Sequence, residues 1–371
     1  MSPATERGHV GAIASISADD VPALHEGARF YSQAACGTNK SSLTSWLAGL
    51  LDRNGPVAMR RVESVARDTP CIALCVLGSG AALADLPPAG DEFALAVQRL
   101  EQLQQVSFGA VYPLAAATVS ALVTVAAASQ LGVPLLDADG MGRVFAPVHH
   151  TSMHLAGLSP TPLVAQGPTG ESVLIDTPAA GRADRLLRAT VDSLGGWAAL
   201  AAYPACAGTL RRATLPGTVS RLINVGRLLR ASTGPDRLVD RLAAITGCRR
   251  IGRGRIVELE HLRRPTDVTA SAHPSSLVMD ELAGQRRQLR IELRNEVVAV
   301  FADGALVAAA PDVVCLMDDS RGELASLDSL EPGDLLDVLA TPAEALWYSP
   351  KALAMVGPSS HGIHLDHPRR R

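Results

Sequence analysis

Apolar residues at helical spacing alternate with short, unbroken apolar runs from Asp19 to about Ala165. This pattern predicts helices at 19–35, 44–53, 91–104 and 114–130, and strands at 57–65, 71–77, 106–112 and 133–136. A strand, a helix and a second strand at this spacing form a βαβ crossover, which makes the two strands parallel. We therefore expect an N-terminal α/β domain with a mainly parallel sheet.

The pattern changes in the second half of the chain, where helices are predicted at 182–202, 218–231 and 236–246. Leu289, Ile291 and Leu293 then alternate with charged residues, which is the period-2 pattern of a half-buried strand. The Asp303-Gly304 pair is a hairpin turn signal between two further apolar segments. We expect a helical segment followed by a β-rich C-terminal module, and an α+β protein overall.

The length of 371 residues exceeds one ordinary core, so two domains are expected. We predict a loose N-terminus, an α/β domain, a C-terminal domain and a polar tail, at 1–18, 19–166, 167–362 and 363–371. The net charge of −3 shows no excess of positive charge of the kind that binds nucleic acid or an anionic membrane. Six scattered cysteines without a CxxC pair, and no recognisable signal peptide, favour a cytoplasmic protein with reduced thiols. The apolar helices permit a homo-oligomer without requiring one.

The densest group of chemically active residues lies where the 133–136 strand ends. We call residues 137–143 the DADGMGR loop. Ligands of parallel sheets bind beyond the carboxyl ends of the strands, and two neighbouring carboxylates are costly to bury, so Asp137 and Asp139 are expected to line a cleft. Around an extended Ala138 both side chains share a face, and one of them acts as general base or metal ligand. The alternative is an Asx-type turn in which they bond the backbone amides of Gly140 to Gly142.

Arg143 and three histidines, His149, His150 and His154, follow these carboxylates. Arg143 can hold a carboxylate or an oxyanion in bidentate fashion, or form an ordinary salt bridge to the loop aspartates. On a helix, His150 and His154 share a face, as two ligands of a divalent metal such as zinc must. Asp139, His149 or a remote residue would complete such a site. Histidines that only donate hydrogen bonds are the alternative, and the absence of an HExxH arrangement excludes a metalloprotease.

Two other segments carry polar groups at candidate positions. The backbone amides around Ser79, in Gly78-Ser79-Gly80, can bind an anionic ligand, or the segment simply ends a strand. Cys36 precedes Lys40 in a segment that lacks the glycines and the preceding strand of a phosphate-binding loop. Cys36 is therefore either a nucleophile with a lowered pKa or a small buried residue.

The order of several short motifs resembles a two-domain family named for S-methyl-thiohydantoin desulfurase. The DADGMGR loop is similar to that family's signature, and Arg294-Asn295-Glu296, Ala310-Pro311-Asp312 and the 357–362 segment GPSSHG are similar to its C-terminal motifs. The resemblance spans roughly Asp20 to His364. It implies a hydrolase that directs water at C2 of a five-membered cyclic ureide or thiohydantoin, with release of a thiol or cleavage of a C–N bond.

This chemistry needs a base for water and a donor for the developing negative charge. We expect Asp139 to be the base or a metal ligand, Asp137 its partner, Arg143 the group that stabilises charge and His150 a proton relay or metal ligand. A small molecule is the expected partner. Expected substrate contacts are Gly140, Gly142, Ser79, Asn295, Glu296 and His361, although a turn at a strand edge also explains Asn295 and Glu296.

The chain departs from the family in four places. Ala35-Cys36-Gly37-Thr38 stands where the family has a glycine-rich loop, Tyr112-Pro113 where it has an acidic motif, and Ala146-Pro147 where it has another acid. His361 replaces a usual Phe. These departures leave a second expectation open. The chain is then a homologue with altered or lost catalysis that serves as a ligand-binding or partner subunit.

Overall fold

The computed structural model describes residues 13–33, 40–78, 80–231, 234–261, 274–282, 284–294 and 296–368. The chain divides into two compact units. The N-terminal unit comprises Ala12–Ala28 and Asn39–Ile223, and the C-terminal unit includes Arg29–Thr38 and Asn224–Arg371. Each unit is built around an eight-stranded sheet, so the architecture is α+β overall, as the periodicity predicted.

The chain up to the end of α9 alternates short strands with helices. The strands are β1 Ser15–Ile16, β2 Val57–Arg60, β3 Pro70–Gly78, β4 Ala110–Pro113, β5 Leu135–Leu136, β6 Ala138–Asp139, β7 Leu163–Gln166, β8 Ser172–Ile175, β9 Trp197–Cys206 and β10 Leu215–Pro216. The helices are α1 Val21–Tyr31, α2 Lys40–Asn54, α3 Gly80–Asp85, α4 Glu92–Gln104, α5 Thr118–Leu131, α6 Ser152–Leu155, α7 Ala180–Val191, α8 Ala207–Ala213 and α9 Thr218–Arg230.

The remainder of the chain is dominated by longer strands. These are β11 Arg249–Glu260, β12 Ser276–Glu281, β13 Gln288–Leu293, β14 Val297–Ala302, β15 Ala305–Ala309, β16 Val313–Asp318, β17 Glu323–Leu324 and β18 Leu335–Thr341. In the described part of this region, α10 Pro235–Thr246 and α11 Pro350–Val356 accompany them. Single 3-10 turns lie at Ala18–Asp20, Val62–Ser64, Asp192–Leu194, Leu327–Ser329, Ala345–Tyr348 and Pro358–His361.

The centre of the N-terminal sheet is parallel, as predicted. Strands β2, β5, β4 and β3 pair in parallel in that order, and antiparallel strands complete the sheet as β1 on one side and β9, β7 and β8 on the other. Helix α5 connects β4 to β5, and Ser120 to Ala128 are all buried, so this part of the helix is enclosed on every side. Gly132 ends α5 with a φ of 66°, a conformation that glycine adopts at little cost. The sheet is thus mixed, with a parallel core.

The prediction of a helix at 182–202 is wrong for the second half of this segment. Helix α7 ends at Val191, Gly195 and Gly196 follow with φ angles of 93° and 85°, and the alanine-rich segment from Trp197 forms β9. Alanine favours helices, but β9 pairs with β3 on one side and β7 on the other, and this pairing overrides the local preference. Strands β7, β8 and β9 all belong to the N-terminal sheet. The N-terminal unit therefore continues to Ile223, beyond the boundary expected at 167.

The C-terminal sheet is antiparallel, in the order β15-β14-β13-β12-β11-β18-β16-β17. The predicted hairpin is confirmed, because Ala302 pairs with Ala305 across the Asp303-Gly304 turn, where both residues have positive φ angles.

The polar tail differs from expectation at His367, which is 2% exposed. Its Nε2 lies 3.1 Å from the carbonyl oxygen of Ala309, so the chain is packed against β15 at this point.

Candidate functional site

Asp139 lies at the end of the two-residue strand β6, which directly follows the parallel strand β5. Its side chain is 0% exposed. Oδ2 accepts hydrogen bonds from the backbone amides of Ala116, at 2.6 Å, and Gly142, at 2.8 Å. Oδ1 is buried and accepts no hydrogen bond from the residues that the structure describes. A buried oxygen without a donor is costly when the carboxylate is charged, so the site favours a proton or a ligand donor at Oδ1.

Burial raises the pKa of Asp139 from 3.8 to about 7. The amides of Ala116, Gly142 and Met141, together with the positive charge of Arg221, act in the opposite direction. A carboxyl with a pKa of about 7 is about half ionised at neutral pH, which suits a group that both takes up and returns a proton. Such a pKa is consistent with the acid–base role that the sequence predicted for Asp139.

The amide of Ala116 is supplied by a constrained segment between β4 and α5. Thr118, the first residue of α5, has a φ of 52°, which is unusual for a residue other than glycine and costs on the order of 1 kcal/mol. The amide of Gly140 donates to the carbonyl of Leu114 at 3.0 Å, which ties this segment to the DADGMGR loop. Both segments therefore donate a backbone amide to Oδ2 of Asp139.

Asp137 has a different environment, although it is only two residues away. Its Oδ1 accepts from the backbone amide of Ser220 at 2.9 Å, and its Oδ2 from the Ser220 hydroxyl at 2.6 Å. Ser220 lies in the first turn of α9, where backbone amides lack partners within the helix. Asp137 thus caps α9 from outside, and this structural role accounts for both of its oxygens. The two carboxylates bond to different segments.

Close packing explains Gly140, and a positive φ angle explains Gly142. A Cβ on Gly140 would lie 2.6 Å from the Met153 Cε and 3.2 Å from the Leu114 carbonyl oxygen. Gly142 has a φ of 69°, and its amide donates to Asp139. The bond from a loop amide to an aspartate side chain that was considered for this loop is therefore present at Gly142. Both amides are engaged within the protein, and substrate contact by these glycines stays a prediction.

Arg143 is buried, with 3% exposure. Its guanidinium carbon lies 5.1 Å from the centre of the Phe145 ring, and its Nε donates to the carbonyl of Val144 at 3.2 Å. The cation is thus stacked on an aromatic ring beside the loop, an arrangement that stabilises a desolvated guanidinium.

The three histidines form a cluster. The ring of His149 lies 4.7 Å from that of His150 and 5.7 Å from that of His154, edge to face in both cases. Burial lowers the pKa of His149, the charges of His154 and Arg188 lower it further, and that of Asp184 raises it. Within the described residues, no group of three or more His, Cys, Asp or Glu side chains could hold a metal ion. The structure therefore does not assemble Asp139, His150 and His154 into the expected ligand set.

The remaining candidates belong to the C-terminal unit or lie outside the described residues. Glu296 is buried and accepts a short hydrogen bond from the hydroxyl of Ser32. His361 ends a 3-10 turn and is partly buried. Ser79, Asn295 and Cys36 are outside the described residues.

The sequence did not predict which residues contact Asp139 in space but lie far from it along the chain. Ala116 carries no chemical signal in its side chain, because it acts through its backbone amide. Ser220 and Arg221 follow β10 in the chain. The fold brings them to the loop because Leu215 of β10 pairs with Asp139 in the two-stranded β6–β10 sheet. In an arginine-rich chain, nothing in the sequence distinguishes Arg221 from the other arginines.

Together the fold and the loop define a class: two-unit α+β proteins with a buried carboxyl beyond the carboxyl ends of a parallel sheet core. The chain belongs to the S-Me-THD-like family. Residues 19–177 match the family's N-terminal domain, and residues 178–369 match its C-terminal domain.

One similar solved structure is a crystal structure of a protein from Chromobacterium violaceum. It is 21% identical, with 95% of this chain and 98% of that chain covered and a TM-score of 0.78, and at this identity the likeness concerns the fold. No curated protein matches the chain. Among the described residues, no helix has the length and apolar character that crossing a membrane requires.

Proposed function

We propose that the protein is a hydrolase that acts on a small five-membered cyclic ureide or thiohydantoin-like substrate. The observation that carries this proposal is Asp139, a fully buried carboxyl with a pKa of about 7 and one oxygen that has no hydrogen-bond donor among the described residues. Its position beyond the parallel strands is where α/β sheets place their ligands. The S-Me-THD-like family membership supports the choice of substrate class.

In the proposed reaction, ionised Asp139 takes a proton from water as the water oxygen attacks C2 of the ring. The C–S bond then breaks, the departing thiolate takes up a proton, and the ring keeps the new C2 carbonyl with a protonated neighbouring nitrogen. With an oxygen-substituted ring, the same attack breaks a C–N bond instead. Arg143 would stabilise the negative charge that develops at C2, and His150 would relay protons.

This mechanism requires the substrate and water to reach the buried carboxyl of Asp139. The carboxyl is 0% exposed, and its Oδ2 is bonded to the amides of Ala116 and Gly142. Substrate binding must therefore displace the segment around Ala116 or the DADGMGR loop. Movement of a loop that excludes water from the reaction is common in enzymes.

The second candidate is a catalytically altered homologue that serves as a ligand-binding or partner subunit. The bonding of both Asp137 oxygens to Ser220 favours it, because one of the two loop carboxylates is then committed to capping a helix. The missing glycine-rich loop and acids favour it as well. In this case Asp139 only ties two loops together.

The test measures thiol release from an S-methyl thiohydantoin by the purified protein, with zinc added and with a chelator. Wild type, Asp139→Asn and Asp68→Asn are compared, since Asp68 is exposed in the same unit and undergoes the same change. Release by wild type and Asp68→Asn but not by Asp139→Asn supports the hydrolase. Absence of release from all three under both conditions refutes this substrate, and equal release from all three refutes the role of Asp139.

A further inference from the structure

Tyr203 interrupts the regular course of strand β9. It is fully buried, and its φ of 52° lies in the left-handed region, which is costly for a residue other than glycine. The pairing of β9 with β3 shifts its register at this point, between Cys71 and Ala73. The Tyr203 amide donates instead to the carbonyl of Pro160, at 3.1 Å. A register shift of this kind redirects a side chain, and such irregularities are common beside functional sites.

The redirected side chain reaches residues 148–151, which we call the histidine segment. The Tyr203 hydroxyl donates to the carbonyl of Val148 at 3.3 Å and accepts from the Thr151 hydroxyl at 3.0 Å. Val148 and Thr151 are buried, and they flank the two histidines of the segment directly. One phenol oxygen therefore holds the chain on both sides of this histidine pair.

Further side-chain bonds hold the histidine segment. The Thr151 hydroxyl accepts from the amide of His154 at 3.0 Å and so caps helix α6. The amide of Val148 donates to Asp184 of α7 at 2.9 Å, and Arg188 donates to the other oxygen of Asp184 at 2.8 Å. Between β6 and α6 the described chain forms neither helix nor strand. The orientation of the histidine pair thus depends on side chains and not on a regular backbone.

We propose that Tyr203 is a positioning residue: its hydroxyl, bonded on both sides of the histidine pair, fixes the orientation of His149 and His150. It acts through these histidines and does not touch the substrate. Its effect on turnover rests on the proposed function, in which His150 relays protons, whereas its effect on the histidines is independent of any activity. A group that transfers protons works only within hydrogen-bond reach of its partner, so a small displacement is costly.

The first test measures how fast diethyl pyrocarbonate modifies the two histidines at one pH without substrate, with the products localised by mass spectrometry. Tyr203→Phe removes only the hydroxyl, and the matched control Tyr112→Phe removes another buried hydroxyl. The Tyr112 hydroxyl lies 3.1 Å from the Tyr203 carbonyl oxygen and 3.2 Å from the Met153 sulfur, both outside the histidine segment. Exposed His364 is the internal reference. Relative to His364, modification of the pair should rise by about threefold or more in Tyr203→Phe and stay at the wild-type rate in Tyr112→Phe.

A second pair of variants tests the same bond from its other end. Thr151→Val removes the hydroxyl that donates to Tyr203 and should reproduce the faster modification, whereas Thr151→Ser keeps a hydroxyl and should retain the wild-type rate. These variants decide the proposal even if Tyr203→Phe fails to fold. Equal modification of the histidine pair in wild type, Tyr203→Phe and Thr151→Val would overturn the proposal. An equal rise in Tyr112→Phe would overturn it as well.

The same variants are then compared in the thiol-release assay. If wild type turns over, kcat should fall by about tenfold in Tyr203→Phe while KM stays within about twofold, because a displaced proton-transfer group weakens stabilisation of the transition state and not substrate binding. Tyr112→Phe should retain the wild-type kcat. An unchanged kcat in Tyr203→Phe would overturn its role in turnover. Absence of turnover in wild type, with faster histidine modification in Tyr203→Phe, would instead refute the proposed substrate and leave the positioning role of Tyr203 supported.

Discussion

Replacing Asp139 by asparagine should remove a pH dependence of stability that the wild type carries. The pKa of Asp139 is about 7 in the folded protein, compared with an ordinary value of 3.8. Between these two values the folded chain keeps a proton that the unfolded chain has lost. Stability therefore falls as the pH rises through this window, because the folded state binds more protons there. The contribution of Asp139 is fully present below the lower value and is lost above the higher one.

The magnitude follows from the difference between the two pKa values, about three pKa units. Each pKa unit corresponds to about 1.4 kcal/mol, so the wild type should lose about 4 kcal/mol of unfolding free energy from this group. The variant Asp139→Asn has no titratable group at this position, so its side chain there is neutral at every pH. The free energy of unfolding of Asp139→Asn relative to wild type should therefore rise by about 4 kcal/mol between about pH 4 and pH 8.

The measurement is urea unfolding followed by far-ultraviolet circular dichroism at closely spaced pH values. Groups that titrate in both proteins cancel in the difference between variant and wild type. Asp68→Asn is the matched control and should run parallel to the wild type, because Asp68 is exposed. A difference between Asp139→Asn and wild type that stays constant with pH would refute the argument that burial raises this pKa.

Three further changes test the packing around the loop and the C-terminal sheet. Asp137→Ala removes both bonds to Ser220 and should cost about 1–2 kcal/mol in urea unfolding; no loss would refute the capping role. Gly140→Ala places a methyl group 2.6 Å from the Met153 Cε and should lower stability by about 1–3 kcal/mol, and an unchanged melting temperature would contradict this. Asp337, 1% exposed, bonds two arginines of β11, so Asp337→Ala should cost about 1–3 kcal/mol in thermal unfolding, and Asp280→Ala, at an exposed position of the same sheet, is the control.

Local pattern determined much of the fold. The Asp303-Gly304 turn joins two adjacent strands and needs only residues next to each other in the chain. Helix α5 and its glycine end are likewise local, and the crossover from β4 to β5 follows from the spacing of the elements. The DADGMGR loop could be placed beyond a parallel strand for the same reason. These features depend on hydrogen bonds and side-chain periodicity within short segments.

Tertiary structure decided the rest. The segment from Trp197 reads as helix by composition but forms β9, because it lies between two strands that pair with it. Asp137 and Asp139 look equivalent in the sequence, yet Ser220, 83 residues further along, binds one, while the amide of Ala116 binds the other. Burial and charge at a site depend on what the fold brings to it from elsewhere in the chain. The sequence alone therefore located the loop, and only the packing distinguished its two carboxylates.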